Sequence, residues 1–508
     1  MNGAGRPDTQ VVVVGAGPVG LMLAGELRLG GAEVTVLERR TARTTESRAS
    51  TLHARTMEIL DSRGLLAPLG TPPREPRGHF AGIPLDLTLP GPYPGQWKVP
   101  QSRTEEVLEQ WARSLGADIR RGHEVRTLTV TEEYVEAGAD GPGGPVRIRA
   151  GHLVACDGED STVRRLTGAA FPGNDARREL LRADLSGVTV PDRRFQRLPA
   201  GLAIAARRGD GVTRVMVHEF GSTARPRTEE PGLTEIAERW KRVTGEDISA
   251  ATPLWVNAFG DASRQLTRYR EGRVLFAGDA AHRQMPIGGQ ALNLGLQDAV
   301  NLGWKLARHV TGRAAPGLLD TYHAERHPVG RRALAAIEAQ AQLLLGGPEA
   351  EPLRALLAEL VALEAVRAHL AGMISGLDVR YDLPGDPHPL LGARLPPLSL
   401  DTGQGHVTTA ELLRPGRGLR LGLRGTEVMA RTDTARTDMA RTDTARTNTA
   451  RTDTAFAGVR SLLVRPDGHI AQVERADTPP EDRAEAERRW FGPDAGARIP
   501  TTEGTPCP

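Results

Sequence analysis

The chain has 508 residues, enough for two or three domains with cores of their own. The formal net charge is +2, and only Lys98, Lys241 and Lys305 are lysine, so nearly all positive charge is arginine. No Lys/Arg run is interleaved with aromatics, which speaks against a nucleic-acid partner, and Cys156 and Cys507 offer no disulfide framework, metal site or CxxC pair.

The first element is Val11-Val12-Val13-Val14, a β-branched run that reads as a buried parallel strand. Gly15-Ala16-Gly17-Pro18-Val19-Gly20 follows as a tight turn, Leu21 to Leu29 has helical spacing, and Gly30-Gly31 ends it. Val34 to Leu37 is a second strand, closing on Glu38, 18 positions after Gly20. This is the βαβ opening of a dinucleotide-binding fold. Gly15 permits the turn, Gly17 lets backbone approach a pyrophosphate, and Gly20 lets helix pack on strand. The helix N-terminus supplies free N–H groups for phosphates. Glu38 is placed to accept hydrogen bonds from both ribose hydroxyls. The apolar run Val11 to Ala24 belongs to this fingerprint and is not a leader; nothing else approaches a membrane span, so no membrane partner and a cytoplasmic location are expected.

Ser50 to Leu60 reads as a helix, 70–100 as Pro-rich and irregular, and Glu105 to Leu115 as a helix. Residues 180–260 alternate strand-like pieces with turns, as in Leu202 to Ala206 and Val212 to Phe220. Val274 to Ala277 is a strand returning to the first domain, and Leu294 to His309 and Ala333 to Leu345 are helices. Leu353 to Met373 has helical spacing and reads as core or interface. The expected organisation is an α/β chain: a dinucleotide-binding domain over 1–179, a sheet-rich insertion over 180–265, the rest of the first domain with long helices over 266–384, and a small domain over 385–508. Within the last lies a five-residue repeat, ARTDT, ARTDM, ARTDT, ARTNT, ARTDT, over 430–454. It matches no heptad or solenoid period and reads as a polar, disordered surface loop. A strand at Ser461 to Val464 and a turn at Pro466-Asp467-Gly468 follow.

The second chemical signal is GDAAHRQMPIGGQALN, Gly278 to Asn293. Asp279, at a strand's end, can accept a hydrogen bond from a ribityl hydroxyl, and Gly288-Gly289-Gln290 lies just before a helix from Leu292. Its N–H groups would sit where negative charge gathers on a reduced flavin ring. A third signal, Asp157-Gly158, is a sharp turn after a strand and by itself would be unremarkable. A distant Gly-Asp segment that returns to a GxGxxG points to FAD. His282 could serve as a general acid or base, but a structural role is the commoner one in this motif, and no catalytic acid–base residue is assigned. H-E-x-x-H and Ser/His/Asp sets are absent.

Three motifs in this order resemble the class A FAD-dependent aromatic monooxygenases, the para-hydroxybenzoate hydroxylase-like group, and within it the aromatic polyketide hydroxylases of angucycline and anthracycline pathways. The resemblance extends through Leu52-His53-Ala54-Arg55-Thr56-Met57-Glu58, Pro100 to Glu105, Gln297 to Leu306, Tyr322 to Val329 and Gly376 to Tyr381, leaving only the repeat uncovered. It implies a Rossmann-like FAD-binding domain, an inserted substrate domain and a thioredoxin-like C-terminal domain. It implies that Glu38, with Arg39 beside it, binds the adenosine ribose, that Arg48 approaches the pyrophosphate, that Gln101 contacts FAD, and that Val125 meets the adenine through its backbone. Asp157 is linked in the family to FAD and NADPH; Gly278 and Asp279 hold the ribityl chain; Pro286, Gly288, Gly289, Gln290, Ala291, Leu292 and Asn293 line the isoalloxazine. Met285 and Ala291 depart from the family's usual proline and glycine.

The activity implied is hydroxylation of a polycyclic aromatic substrate through a flavin C4a-hydroperoxide, with NADPH or NADH and O₂ consumed, by a monomer or homodimer. Baeyer–Villiger oxidation of a polyketide ketone, hydroxylation of an antibiotic for resistance, and flavin binding without turnover remain open alternatives.

Overall fold

The computed structural model describes residues 7–43, 50–402, 405–424, 427–432, 445–446 and 456–492. Arg48, Cys507 and most of the repeat lie outside the described residues. The central sheet runs in the order Arg270–Glu271, Val274–Phe276, Gly144–Ala155, Thr9–Val14, Val34–Glu38, Asp118–Arg121. The five strands from Val274–Phe276 to Asp118–Arg121 pair parallel. Val11, Val12 and Val13 are fully buried, which is why this strand is apolar on both sides. The first helix, Pro18–Leu29, packs under the sheet against Gln290–Val310 and Gln101–Ser114.

The insertion is an antiparallel five-stranded sheet, ordered Arg193–Leu198, Gly201–Arg207, Thr213–Glu219, Glu179–Ser186, Thr252–Gly260. One face carries Leu181, Ala183, Val215 and Val217 onto a helix, Leu233–Thr244, whose Ile236 and Trp240 are fully buried. That helix interrupts a stretch expected to be strands and turns. Its signal was present in the apolar spacing Leu233, Ile236, Ala237, Trp240, Val243.

Four other expectations change. Ser50 to Leu60 is not one helix: Thr51–His53 is a strand paired with Gln96–Lys98, and the helix is Ala54–Asp61. The 70–100 stretch contains a hairpin, Arg77–Phe80 with Ile83–Asp86. The helix expected from Ala333 begins at Thr321 and runs through Pro328 to Leu345. Leu353 to Met373 divides into Glu351–Val361 and Glu364–Ser375; the first helix has no buried residue, and Leu353 and Leu356 are more than half exposed.

The C-terminal unit has antiparallel strands Leu419–Arg424, Val459–Val464 and Ile470–Arg475 and a helix Pro480–Phe491. A further strand, Glu427–Thr432, pairs with Leu419–Arg424, so the first three residues of the repeat extend a strand. The turn Pro466-Asp467-Gly468 reaches back into the first domain. Arg465 bonds Glu325 through both Nη atoms at 2.7 and 2.8 Å and also pairs with Asp467. Lys305 Nζ lies 2.8 Å from Glu325 Oε2, and Arg55 Nη2 donates to the Asp467 carbonyl at 2.7 Å. Lys305, Glu325, Arg465 and Asp467 are all nearly or fully buried. Two cations and two anions cancel, and Asn301 completes the set by donating to Glu325 at 2.7 Å. Such a cluster persists only when every charge is paired.

Candidate FAD and substrate site

Four turns meet at the carboxyl ends of parallel strands, the usual ligand position in an open α/β sheet. They follow Val14, Glu38, Ala155 and Phe276. The Gly15 N–H donates to Leu37 O and the Cys156 N–H to Val14 O, both at 2.8 Å, which ties the turns together. Between the first three opens a cleft of about 200 Å³. Its walls include Gly15, Ala16, Gly17, Glu38, Arg39, Gln101, Val125 and Asp157, residues separated by more than 100 positions in sequence. Arg121 and His123 also line it, and no sequence motif marked them.

The three glycines of the first turn differ in what they allow. Gly15 has φ +102°, and a Cβ there would stand 2.4 Å from Cys156 O. A Cβ on Gly20 would stand 2.0 Å from Gly15 O. A Cβ on Gly17 would meet nothing within 4 Å. Gly20→Ala is therefore expected to destabilise the protein by about 2–3 kcal/mol, the range of an overpacked core. Gly17→Ala should cost only about 1 kcal/mol, that of Ala at a helix N-cap, while weakening FAD at least ~10-fold. Denaturant melts and flavin titration separate the two; equal melts for both variants would contradict this division.

Glu38 bridges the first glycine turn and its own. Oε2 accepts from Ala16 N at 2.7 Å and Oε1 from Arg40 N at 2.9 Å. Asp157 accepts from Ser161 Oγ at 2.6 Å and Val163 N at 3.0 Å, so it caps the helix Thr162–Thr167 while facing the cleft. Burial raises its carboxyl pKa, against the hydrogen bond from Ser161.

The second motif abuts the first through Val19. A Cβ on Gly278 would stand 3.0 Å from Val19 Cγ2, and one on Gly295 would stand 2.6 Å away. Asp279 is exposed on the 3₁₀ turn Gly278–Ala280. Gly288 and Gly289 have φ +63° and +71°, a conformation glycine adopts without strain, and the helix begins at Gln290 rather than Leu292. Pro286 is exposed; Gly288, Ala291 and Leu292 are partly buried along the same turn. Asn293 is saturated within the protein. Its Oδ1 accepts from His53 N at 2.9 Å and Thr56 Oγ1 at 2.7 Å, and its Nδ2 donates to Thr51 O at 3.0 Å and Gly289 O at 2.7 Å. Its side chain therefore fixes the turn against 51–56 and has little capacity left for a ligand.

Behind the turn stands a buried ionic triad. Asp298 accepts from Arg326 Nε at 2.7 Å, from His282 Nε2 at 2.8 Å and from Gly278 N at 3.2 Å. Burial by itself would raise the Asp298 carboxyl; the Arg326 guanidinium and His282 outweigh it and hold it below the ordinary range. This gives His282 a structural job.

Two observations fit FAD to these residues. The cleft leaves the Gly17 face open, and polar atoms cluster unpaired around the 284–290 turn. Gln290 Nε2 is buried with no hydrogen-bond partner, and the His53 ring behind it is buried against the backbone of Gly288 and Ile374. Burial pushes the His53 imidazole down to about 4, so it is neutral at pH 7. Native proteins seldom leave such groups unpaired without a ligand or water.

A family of FAD binding domains matches residues 8–336, and the aromatic-ring hydroxylase C-terminal family matches 388–494. The chain belongs to the FAD-dependent aromatic-ring hydroxylases. It is an FAD-dependent monooxygenase. It is 41% identical over 96% of its length to the 12-dehydrotetracycline 5-monooxygenase/anhydrotetracycline 6-monooxygenase of Streptomyces rimosus, covering 99% of that protein. It is 41% identical over 95% of its length to a rifampicin monooxygenase of Streptomyces venezuelae, covering 98% of it. Among solved structures, CabE, an aromatic hydroxylase from angucycline biosynthesis, superposes with a TM-score of 0.88 at 47% identity, over 96% of this hydroxylase and 99% of CabE.

Beyond the cofactor turn this hydroxylase presents an apolar seam. The second face of the inserted sheet brings Leu180 and Leu202 against Met285, Ile287, Ile337 and Leu344, with Phe195, Met216 and Phe259 partly buried beside them. A second cleft, of about 180 Å³, is lined by Gln290, Leu294, Val329, Ala333, Met373 and Ile374 among others. Val329, Ala333, Ile337 and Ala341 recur every four residues along Thr321–Leu345, so cleft and seam share one face of that helix. Among the described residues no helix is long and apolar enough to cross a membrane, and no His/Cys/Asp/Glu group could hold a metal.

Proposed function

We propose that this hydroxylase inserts one oxygen atom from O₂ into a planar polycyclic aromatic substrate of the polyketide type, with NADPH or NADH as electron donor. The observation that carries this is the continuity of the cofactor turn with an apolar seam: Met285 and Ile287 belong to the seam, and Gly288 to Gln290 follow directly. The activities of the tetracycline and angucycline relatives support it. When bound, FAD supplies the electron transfer and oxygen activation that amino-acid side chains lack.

The chain's own residues then bind, orient and exclude water. Glu38 and Arg39 hold the adenosine ribose, Gly17 and the N-terminus of Pro18–Leu29 face the pyrophosphate, and Gln101, Val125 and Asp157 complete the adenosine end. Asp279 holds the ribityl chain, and Gly288 to Leu292 flank the ring with N–H groups at a helix start. The seam orients flat aromatic faces and keeps water from the reacting centre. No acid–base pair is needed from the protein for the oxygen-transfer step.

Anaerobic mixing with NADPH and a panel of polycyclic phenols and quinones, with flavin absorbance followed, tests the reading. Reduction accelerated by at least one aromatic, and one hydroxylated product per turnover on admitting O₂, are expected. A purified chain that cannot be loaded with FAD sinks it. Asp279→Ala should lose FAD at least ~10-fold more readily, since one lost charge-assisted hydrogen bond is worth about 1.5–3 kcal/mol, with an unchanged melt of the flavin-free protein. Unchanged flavin content would remove Asp279 from the site.

A further inference from the structure

We propose that Gln284 selects the oxygenated edge of the aromatic substrate, an assignment that rests on the aromatic-substrate reading of the seam. Gln284 lies in the extended segment between the strand His282–Arg283 and the Gly288-Gly289 turn. The residues before it are committed elsewhere: His282 to Asp298, and Arg283 to Glu159 at 3.3 Å. Met285, directly after it, and Ile287 join the apolar seam. Between these anchors, Gln284 Oε1 and Nε2 are both sealed from solvent, and neither has a hydrogen-bond partner.

A primary amide carries an acceptor oxygen and a donor NH₂. Burying both unpaired disfavours the free protein, and a leucine at this position would not carry that penalty. The arrangement suits a ligand that brings the complementary pair into an apolar slot: an acceptor, such as a quinone carbonyl or phenolate oxygen, next to a donor phenolic hydroxyl. A hydroxyl adjacent or peri to a carbonyl on a flat ring system has that pattern. The two ends of the amide exchange by rotation about Cγ–Cδ, so either order of donor and acceptor is readable. Gln290 Nε2 is also unpaired, but it stands at the helix start beside the Gly288-Gly289 turn; Gln284 directly precedes Met285, a residue of the seam.

The test compares wild type with Gln284→Leu, both loaded with FAD, by equilibrium dialysis against alizarin and against unsubstituted anthraquinone. Wild type is expected to bind alizarin at least ~10-fold more tightly than anthraquinone, and Gln284→Leu to bring the ratio within about 2-fold, as loss of a buried hydrogen-bonding pair predicts. Flavin content should be unchanged, and the variant should melt no lower than wild type. A preserved alizarin preference in Gln284→Leu overturns the assignment. Loss of flavin overturns it in favour of a cofactor contact, and a markedly lower melt overturns it in favour of a structural bond. If wild type binds neither compound, the aromatic reading of the seam fails first and takes this assignment with it; if wild type discriminates and the variant does too, only Gln284 is dismissed.

Discussion

Asp298→Ala is expected to lower the stability of the protein by about 3–5 kcal/mol, the cost of removing one partner from a buried ion pair, and to release flavin under conditions where the remaining protein is folded. Asp298 is 1% exposed and Arg326 is fully buried. Without the carboxylate, the guanidinium keeps only the Tyr381 hydroxyl and the Leu294 carbonyl, both at 3.2 Å. The same carboxylate positions Gly278 and His282, so the turn that carries Asp279 loses its support. Asp298→Asn keeps the shape and some of the hydrogen bonding and should fall between Ala and wild type. Denaturant unfolding with and without FAD measures both effects. A loss of stability under about 1 kcal/mol, within the range of an ordinary surface substitution, would show that the triad is not holding the turn.

Glu325→Ala should be as damaging through a different junction. It leaves Lys305 and Arg465, both fully buried, without their shared carboxylate, and about 3–5 kcal/mol is again expected. Arg465 also stacks near Trp304, Tyr381 and Trp490, with its guanidinium carbon 4.8 to 5.4 Å from the ring centroids. Loss of the pair should therefore detach the C-terminal unit from the helices Gln290–Val310 and Thr321–Leu345, read as new protease sensitivity between residues 384 and 419.

The pH dependence follows from the same pair. Burial would raise the Glu325 carboxyl, but Arg465 and Lys305 dominate and draw it down to about 2. The unfolded chain therefore binds the proton first, near the ordinary glutamate value of 4.5, and stability falls as pH drops from there towards 2. The contribution is complete above the unfolded value and is lost at up to about 1.4 kcal/mol per pH unit. Glu325→Gln should flatten that part of the acid-unfolding curve. An unchanged acid limb would place the titration elsewhere.

Much of the candidate site's backbone was legible because the turns that build it are local. Gly15, Gly17 and Gly20 each answer to a steric demand set within a few residues, and Val11 to Val14 bury on both faces as a continuous apolar strand must. Secondary structure failed where two patterns overlapped. Pro328 masked the first turns of a helix that accommodates it, and Thr51–His53 became a strand because it pairs with Gln96–Lys98, some 45 positions later, with Asn293 holding Thr51 O and His53 N from further away still. Gly25 gives no sign in sequence that a Cβ there would fall 2.0 Å from a ring atom of Trp111.

By itself the sequence determined the nucleotide fingerprint, the acid after the second strand, the second glycine turn and the family to which they belong. Only the tertiary structure decided which buried groups are paired. The Asn293 side chain, read as ring-lining, is saturated by protein, while the Gln284 amide, which carried no motif role, is buried and unpaired. The reason is physical: backbone turns and amphipathic faces are set by neighbours in sequence, whereas the pairing of a buried polar atom depends on what the rest of the fold brings within 3 Å of it.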